Sequence, residues 1–539
     1  MKVSDSDGRV GLPCPVADLA ARRWDAVVVG GGHNGLTAAA YLARAGRVVL
    51  VLERRDQLGG ACTVDRPFAD SRYLISPCAY LVGLLHPLVV EELDLRRHGY
   101  RVHAVDPHLW CPFDDGSAMA LWDDDSASAA AVGELSPGDV EGFLRYQGLF
   151  ARIRRALRRP DRDTWLGRAP DRAELEELLG QDPEAIDVLF HASIAEVVEG
   201  HVGDQRLRAA LHGQGIIGTW AGPRDPGTAA VHAMHSMGTV EGRGGAWGYV
   251  NGGMGQVSFA VADAAAEAGA VVASGVEVAA ILPGEGVVLG GGDLIRAAAV
   301  VSNADPRRTV ALCRSEVPAD FSARVDGWRM QGPVVKLNCG LTSLPRFTAA
   351  TRHGPSPYRG MVTITGSIDE TQRGYEDSRN GEPAPVWCEL YFPTAYDSSV
   401  APPGRHVMSV FAQYAPYHLG RGTWEERREE IGDAVLARIS RFAPDVADVI
   451  EHRQVLGPPD IEATVGLSGG HIFQGECLPD QMWDRRFSPR TPVPGLYLCG
   501  AATHPGGSVI AANGRNAAMA VLADLASGLL RPVDSGLAS

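Results

Sequence analysis

"WDAVVVGGGHNGLTAAAYLARAGRVVLVLE", residues 24–53, is the most informative stretch of this chain. The apolar run at 26–29 predicts a buried parallel strand, and the run that ends at Glu53 predicts a second one. Between the two runs, a GxGxxG turn at 30–35 opens an alanine-rich helix. A strand, this turn, a helix and an acid at the end of the next strand together predict a dinucleotide-binding βαβ unit.

Each glycine of the turn has a physical role in that prediction. Gly30 allows the tight turn, Gly32 lets the backbone approach a pyrophosphate, and Gly35 lets the helix and strand pack closely. Gly31 belongs to the same turn, and the helix that follows presents free N–H groups to the anion. Glu53 would accept hydrogen bonds from the ribose hydroxyls.

A glycine pair follows the acid in "ERRDQLGGACT", residues 53–63. Gly59 and Gly60 at this spacing resemble the extended fingerprint of the FAD family that includes amine oxidases and carotenoid desaturases. The resemblance implies FAD as the cofactor, and we expect it to be bound non-covalently. Many members have arginine after the glycine pair, where this chain has Ala61. We therefore expect Arg54 to neutralise the pyrophosphate instead.

Composition and charge exclude several classes of protein. The chain has 539 residues, 45% of them hydrophobic and 21% charged, with a net charge of −15. These values are typical of a soluble globular protein and argue against a nucleic-acid binder, because phosphate surfaces repel it. Nine cysteines are scattered without CxxC spacing, so we expect no metal site. The sequence shows no signal-peptide pattern and no run of about 18 apolar residues, so we expect a cytoplasmic protein without a transmembrane segment.

One basic cluster, "ARIRRALRRP" at 151–160, departs from the acidic balance. It can be a solvated helix face or a surface that docks on a membrane or an acidic partner. We favour the solvated face, so peripheral membrane contact is not favoured, and whether the chain forms an oligomer stays open. The preference for Arg over Lys, with many Ala and Gly residues, indicates a bacterial genome of high GC content.

Several motifs together resemble the phytoene desaturase-like flavoproteins. They are "GAWGYVNGGMGQ" at 245–256, "VVSNADP" at 300–306, "GGHIFQGE" at 469–476 and "GAATHPGGSV" at 500–509. The combination is similar to the branch named pyridine nucleotide-disulfide oxidoreductase domain-containing protein 2 and its bacterial relatives. It covers nearly the whole chain after about residue 24. Despite that name, the chain has no vicinal redox cysteines and no second GxGxxG unit.

The resemblance implies an α/β fold class. The expected fold is an FAD-binding Rossmann-type domain (glutathione-reductase-like, of the amine-oxidase/phytoene-desaturase type) assembled from three segments, plus an α+β substrate domain. A predicted hairpin about Gly290 to Gly292 belongs to the FAD-binding domain. The predicted divisions are an N-terminal tail at 1–21, an FAD-binding domain at 22–66, 226–310 and 456–530, a substrate-binding domain at 67–225 and 311–455, and a C-terminal tail at 531–539.

Further cofactor contacts are implied by the resemblance. Val278 matches the position where relatives bind adenine through the backbone, and Asn303 lies in the "VVSNADP" motif. Gly500 and Ala501 would lie beside the pyrophosphate and ribityl chain. The turn that starts the last helix would point its N–H groups at the flavin, where a helix N-terminus favours negative charge. Its residues are Gly507, Ser508, Val509 and Ile510.

Lys336 is the first catalytic candidate. Lys2 and Lys336 are the only lysines among 50 basic residues, and Lys336 lies in the apolar run "QGPVVKLNCG". In amine-oxidase-like relatives, a strand lysine of the substrate domain holds a water near the flavin. An ammonium is compact and its pKa shifts readily on burial, whereas a guanidinium keeps its proton. The alternative is a lysine that reaches solvent or pairs with an acid.

The remaining candidates are weaker. His504 either fixes its turn by hydrogen bonding or takes part in catalysis, and His471 lies near Gln474, where relatives often carry histidine. An amide cannot replace a proton acceptor there. The candidate pocket residues, which core packing explains equally well, are Trp247, Tyr249, Met254 and His235. His232 and His235 could form a metal pair, but no third ligand is evident, so we expect none.

These observations favour an FAD-dependent desaturase or oxidase. It would remove a hydride and a proton across a C–C or C–N bond of a small organic molecule, such as a secondary metabolite, and pass electrons to oxygen or another acceptor. One alternative is a redox-neutral isomerase or an NAD(P)H-driven saturase of a polyene or isoprenoid. A second alternative is a non-catalytic flavin-binding partner protein.

Overall fold

The computed structural model describes residues 2–315, 317–351 and 357–530. In these ranges the strands form two seven-stranded sheets and three two-stranded ones. The predicted C-terminal tail at 531–539 lies outside the described residues. The two large sheets are called the first sheet and the second sheet below.

The first sheet contains the predicted βαβ unit. Its strand order is Val271–Ser274, Val49–Glu53, Arg23–Val29, Leu294–Ser302, Gly286–Leu289, Val278–Leu282, with Leu496–Leu498 also pairing with Leu294–Ser302. Strand Arg23–Val29 runs parallel to both neighbours, with Val28 opposite Val51 on one side and Val301 on the other. All three of these valines are fully buried, as expected of a parallel sheet covered on both faces.

Helix His33–Arg44 begins within the GxGxxG motif, directly after Gly32, and ends before Gly46. It packs against helices Gly255–Glu267 and Ala512–Ala526. A β-carbon on Gly514 would lie only 2.1 Å from the Asn34 carbonyl oxygen, so helix Ala512–Ala526 approaches helix His33–Arg44 at a position that only glycine allows. The predicted strand, turn, helix and hairpin of this sheet are confirmed.

The second sheet joins parts of the chain that are distant in sequence. Its strand order is Ile450–Leu456, Val334–Leu341, His406–Gln413, Trp387–Tyr391, Val362–Ile364, Leu109–Pro112, Ala118–Leu121. Helix Trp424–Ser440 covers one face, where its apolar side chains pack on residues such as Leu337, Val410 and Leu390. Successive strand residues point to opposite faces, so the residues next to these along each strand face away from that helix.

The other helices lie mainly between and around the two sheets. Those between 125 and 235 are Asp125–Leu135, Val140–Leu157, Arg172–Leu178, Pro183–Phe190, Ile194–His201, Gln205–His212 and Thr228–His235. The rest are Val16–Ala21, Pro87–Glu92, Pro306–Leu312, Ala319–Asp326, Ile368–Arg379 and Pro458–Val465. In the described part of the chain, none of the helices is long and apolar enough to cross a membrane.

The N-terminal segment folds onto the first sheet. The backbone N–H of Ser274 donates to the Gly11 carbonyl, and that of Leu58 donates to Gly8. Val3 donates its N–H to Asp263 at 2.8 Å, and Leu19 is fully buried. Residues 2–21, for which the sequence predicts a tail, therefore cover part of the first sheet, while the division into two domains stays a prediction.

The basic cluster at 151–160 makes local ion pairs and carbonyl contacts. Arg152 bonds to Asp182 and Glu184 at the start of helix Pro183–Phe190, and Arg158 donates to Asp163 at 2.9 Å. Arg154 donates to the Ser236 carbonyl. The Arg152 side chain is 44% exposed and that of Arg158 is 10% exposed, so only part of the cluster faces solvent, and its interpretation as a solvated helix face stays a prediction.

Candidate cofactor site and active site

One cavity of about 440 Å³ connects the two sheets. At one end it is lined by the glycine turn and by the carboxyl ends of first-sheet strands. At the other end it is lined by side chains of the second sheet, among them Lys336, Glu389, Tyr391 and Phe411. Ligands of open α/β sheets bind at the carboxyl ends of the strands, so the position matches the general rule.

The nucleotide end is organised around Glu53, which is 7% exposed. Its two carboxylate oxygens accept hydrogen bonds from the backbone N–H groups of Gly31, at 2.8 Å, and Arg55, at 2.9 Å. Gly30 has φ +102°, a conformation that favours glycine, and a β-carbon on Gly35 would lie 2.3 Å from the Gly30 carbonyl oxygen. The turn therefore needs glycine at both positions.

The second glycine loop lies directly beside the first. The Gly59 N–H donates to the Gly31 carbonyl at 2.8 Å. Gly59 and Gly60 both have positive φ, at +105° and +58°. A β-carbon on Gly32 would lie 2.7 Å from the Asn303 amide nitrogen, so the turn packs closely against Asn303 at a position that favours glycine.

The free polar groups at this end fit a dinucleotide. His33 is the first residue of the helix and lines the cavity, and its Nε2 has no hydrogen-bond partner in the part of the chain that the structure describes. Burial lowers the pKa of His33 to about 4, although a hydrogen bond to the Ser508 backbone opposes the shift, so the ring is neutral. The Asn34 side-chain oxygen is buried and also has no partner among these residues. Neither residue was singled out from the sequence, since both occupy variable positions of GxGxxG.

The predicted cofactor residues divide into two groups. Those that line the cavity are Gly30, Gly32, Glu53, Arg54, Gly59, Gly60, Ala61, Val278, Asn303, Ala501, Ser508 and Val509. Those that lie behind its wall are Gly31, Gly35, Gly500, Gly507 and Ile510. A β-carbon on Gly507 would lie 2.2 Å from the Phe473 β-carbon, and one on Gly500 would lie 2.7 Å from the Gln474 amide oxygen. These two glycines serve close packing of the wall.

Lys336 lies at the far end of the cavity and is 2% exposed. Its Nζ donates to Asn338 Oδ1 at 2.7 Å and to the Ser409 hydroxyl, and lies 5.1 Å from the Tyr80 ring centroid. Burial lowers the pKa of Lys336 from 10.5 to about 7. The side chain neither reaches solvent nor pairs with an acid in the described residues, which answers the alternative that the sequence left open.

Glu389 is a second buried ionisable group on the same wall, and sequence reasoning missed it. It is 2% exposed and lies in strand Trp387–Tyr391. Its carboxylate accepts from the Tyr391 hydroxyl and, at 3.1 Å, from the Gln214 side-chain amide. Burial raises the pKa of Glu389 from 4.5 to about 7, and these two hydrogen bonds oppose the shift. A single acid inside the apolar run "VWCELYF" was the available signal.

Of the other predicted catalytic residues, only Gln474 lines the cavity. Its side-chain oxygen accepts from the Ala502 N–H at 3.1 Å, so it holds the loop after the last strand. His504 lies 2.7 Å from the Thr164 carbonyl and donates to it through Nε2. His471 accepts from the Phe473 N–H through Nδ1, and its Nε2 lies 3.3 Å from the Glu476 carboxylate. Both histidines are buried behind the wall, where they shape loops.

The predicted pocket residues are also divided. Trp247 and His235 line the main cavity, with ring centroids 6.0 Å apart. Tyr249 and Met254 instead border a separate cavity of about 20 Å³, and the Tyr249 hydroxyl accepts from the Phe392 N–H. His232 bonds to the Tyr146 hydroxyl rather than approaching His235 as a metal pair. No group of side chains suited to a metal ion occurs among the described residues.

The fold and this cavity define a flavin-dependent oxidoreductase. The family model of flavin-containing amine oxidoreductases matches residues 186–522, and that of NAD(P)-binding Rossmann-like domains matches residues 28–79. The chain belongs to the flavin-containing amine oxidoreductase family. Its cofactor is FAD, and the resemblance to phytoene desaturase-like flavoproteins is confirmed.

Similar proteins cover the chain almost end to end. The mouse pyridine nucleotide-disulfide oxidoreductase domain-containing protein 2 is 35% identical, over 93% of this chain and 94% of the mouse protein. A limonene dehydrogenase chain of Castellaniella defragrans is 26% identical, over 94% and 95% of the two chains. A solved structure of a redesigned putrescine oxidase matches with a TM-score of 0.59 and 16% sequence identity, and the match covers 94% of this chain and 99% of the oxidase chain. This likeness shows the fold alone.

Proposed function

We propose that this FAD-dependent oxidoreductase is a desaturase or oxidase that removes a hydride and a proton across a C–C or C–N bond of a small organic molecule. One observation carries the proposal: a single cavity runs from the glycine turn to a buried polar wall that holds Lys336 and Glu389. Such a wall can position a substrate and handle its proton, whereas FAD, when bound, supplies the hydride acceptor.

The residues near Lys336 suit a small substrate. Leu81, Ile217, Trp247 and Ile472 line the same cavity and give it apolar surface that excludes water. Lys336 would hold a water or an oxygen atom at its Nζ, because Asn338 and Ser409 fix the direction of the side chain. At the nucleotide end, Glu53, His33 and the backbone of the glycine turn would hold the ADP half of FAD.

The names of the relatives suggest two kinds of probe. Limonene dehydrogenase points to oxidation of a hydrocarbon, and putrescine oxidase to oxidation of an amine. Limonene and putrescine therefore test the C–C and C–N versions of the proposal. The cavity wall offers apolar surface for the first and the Glu389 carboxylate for the second.

The experiment is an anaerobic absorbance titration of the purified holoenzyme with limonene, putrescine and NADPH in turn. Bleaching of the flavin bands by limonene or putrescine, with the bands unchanged by NADPH, is the expected result. Rapid bleaching by NADPH alone would contradict the proposal and favour a reductase or saturase. Flavin bands that no donor changes, in a protein that converts an added polyene to an isomer, would favour the redox-neutral alternative.

A further inference from the structure

We propose that Glu389 is a catalytic proton acceptor, which takes the proton that the substrate loses on oxidation. This inference rests on the proposed function. It concerns a buried acid on the cavity wall opposite the nucleotide loops.

The first argument is position. Glu389 lies directly opposite Phe411, which in turn lies directly opposite Lys336, so the three form one cross-strand row on one face of the second sheet. All three line the cavity. Two strand spacings separate Lys336 from Glu389 by about 10 Å, leaving room for a substrate over the Phe411 ring.

The second argument is the absence of a structural partner. In the described residues the Glu389 carboxylate has only two hydrogen-bond donors, both neutral, and forms no ion pair. Two other buried acids have structural roles: Asp305 caps helix Pro306–Leu312 and bonds to the Ser468 hydroxyl, and Asp524 pairs with Arg490. A buried carboxylate with no opposite charge beside it is costly, so its presence in an apolar strand indicates a use.

The third argument is what surrounds the carboxylate. Tyr391 on its own strand and Tyr80 from the loop before helix Pro87–Glu92 both have a pKa raised well above 10 by burial, so both stay neutral. Gln214 and Thr363, from two further elements, do not titrate. Lys336 is the charged group in the same cross-strand row, two strand spacings away. Near neutral pH, Glu389 can therefore be ionised before the reaction and protonated after it.

The chemical balance is simple. The proton leaves one substrate atom for a Glu389 carboxylate oxygen, and the electron pair of that bond forms the new double bond. FAD, when bound, would supply the two-electron acceptor for the hydride that leaves the neighbouring atom. The resulting acid returns its proton to water after the product leaves.

The test uses the full-length holoenzyme and the variants Glu389→Gln, Tyr391→Phe and Glu476→Gln. Glu476 is a buried acid outside the cavity wall and provides the matched control. Infrared difference spectra from about pH 5 to about pH 9 should show a protonated-carboxyl band that titrates near neutral pH. This band should be lost in Glu389→Gln, kept in Glu476→Gln, and shifted to higher pH in Tyr391→Phe, which removes one donor to the carboxylate.

The second measurement is the anaerobic rate of flavin bleaching by limonene or putrescine. Glu389→Gln should slow it about 100-fold or more and flatten its pH profile, with flavin content unchanged. An equal rate and pH profile in wild type and Glu389→Gln would overturn the inference, as would a carboxyl band that does not titrate. If NADPH alone bleaches the wild type, the proposed function fails first, and the inference falls with it. If Glu389→Gln does not fold, the Tyr391→Phe shift decides.

Discussion

Lys336 and Glu389 lie on either side of Phe411 in one row of the second sheet, and burial moves the pKa of each to about 7 from opposite directions. The base becomes easier to deprotonate and the acid harder to ionise because the same wall withholds water from both. Each shift makes the stability of the protein depend on pH in its own window.

Replacing Lys336 by methionine should remove the pH dependence of stability that this lysine causes. Between about 7 and 10.5 the unfolded lysine binds a proton that the native one does not, so wild-type stability rises with pH in that window. The free energy of unfolding of Lys336→Met should therefore exceed that of wild type by the largest amount near pH 7. This difference should shrink by about 1 kcal/mol per pH unit above pH 7. Urea unfolding at several pH values measures this slope. A difference that does not change with pH would contradict the shift, and unaltered flavin reoxidation and turnover would remove Lys336 from the site.

Replacing Glu389 by glutamine should act in the opposite direction. Between 4.5 and about 7 the native acid binds a proton that the unfolded one does not, so wild-type stability falls as pH rises. The free energy of unfolding of Glu389→Gln, relative to that of wild type, should therefore rise by about 1 kcal/mol per pH unit across this window. Thermal unfolding between about pH 5 and about pH 7 gives the comparison. Parallel stability curves for the two proteins would show that the carboxyl group is not shifted.

Gly35→Ala should lose FAD. Its β-carbon would meet the Gly30 carbonyl oxygen at 2.3 Å, so the turn would have to open and the N–H groups would no longer converge. Gly148→Ala is the matched control, because Gly148 lies inside helix Val140–Leu157 with nothing within 4 Å of a β-carbon. The ratio of flavin to protein absorbance should fall at least about tenfold in the first variant and stay unchanged in the second. Full flavin content in Gly35→Ala would show that the turn tolerates the clash.

His504→Ala should lower stability without changing the pH dependence of catalysis. Nε2 of His504 donates to the Thr164 carbonyl, and burial lowers the pKa of His504 to about 4, so the ring stays neutral at working pH. Loss of this buried donor should cost about 1–3 kcal/mol. His418→Ala, at an exposed position, is the control. A pH profile of flavin reduction that shifts only in His504→Ala would give this histidine a catalytic role.

The first sheet could be predicted from local sequence patterns. The glycine turn, its flanking apolar runs and the hairpin at Gly290 to Gly292 each involve residues close in sequence, so periodicity and turn chemistry suffice. The second sheet needs distant pairing. Strand Leu109–Pro112 pairs with Val362–Ile364, and no local feature of the segment before residue 225, which reads as helical, indicates that partner.

The residues of the candidate site also divide into those with a local sequence signal and those without one. Lys336 was recognisable because lysine is nearly absent from the chain. Glu389 was not, because glutamate is common and its donor Gln214 lies 175 positions away. For Tyr249 and Met254, which precede and enter a glycine-rich turn, the sequence left a pocket wall and core packing equally open, and the structure places both residues at a separate cavity.

The order of the cavity loops along the chain has a consequence for biosynthesis. The glycine turn at 30–35 emerges early, whereas Gln474, Ala501 and Ser508 of the same wall are made only near the end. Helix Ala512–Ala526, which packs on helix His33–Arg44 through Gly514, follows them. A nascent chain still attached at residue 470 therefore lacks one side of the FAD cavity. Cofactor loading must await the last stretch of translation, so ribosome-bound fragments should carry no flavin.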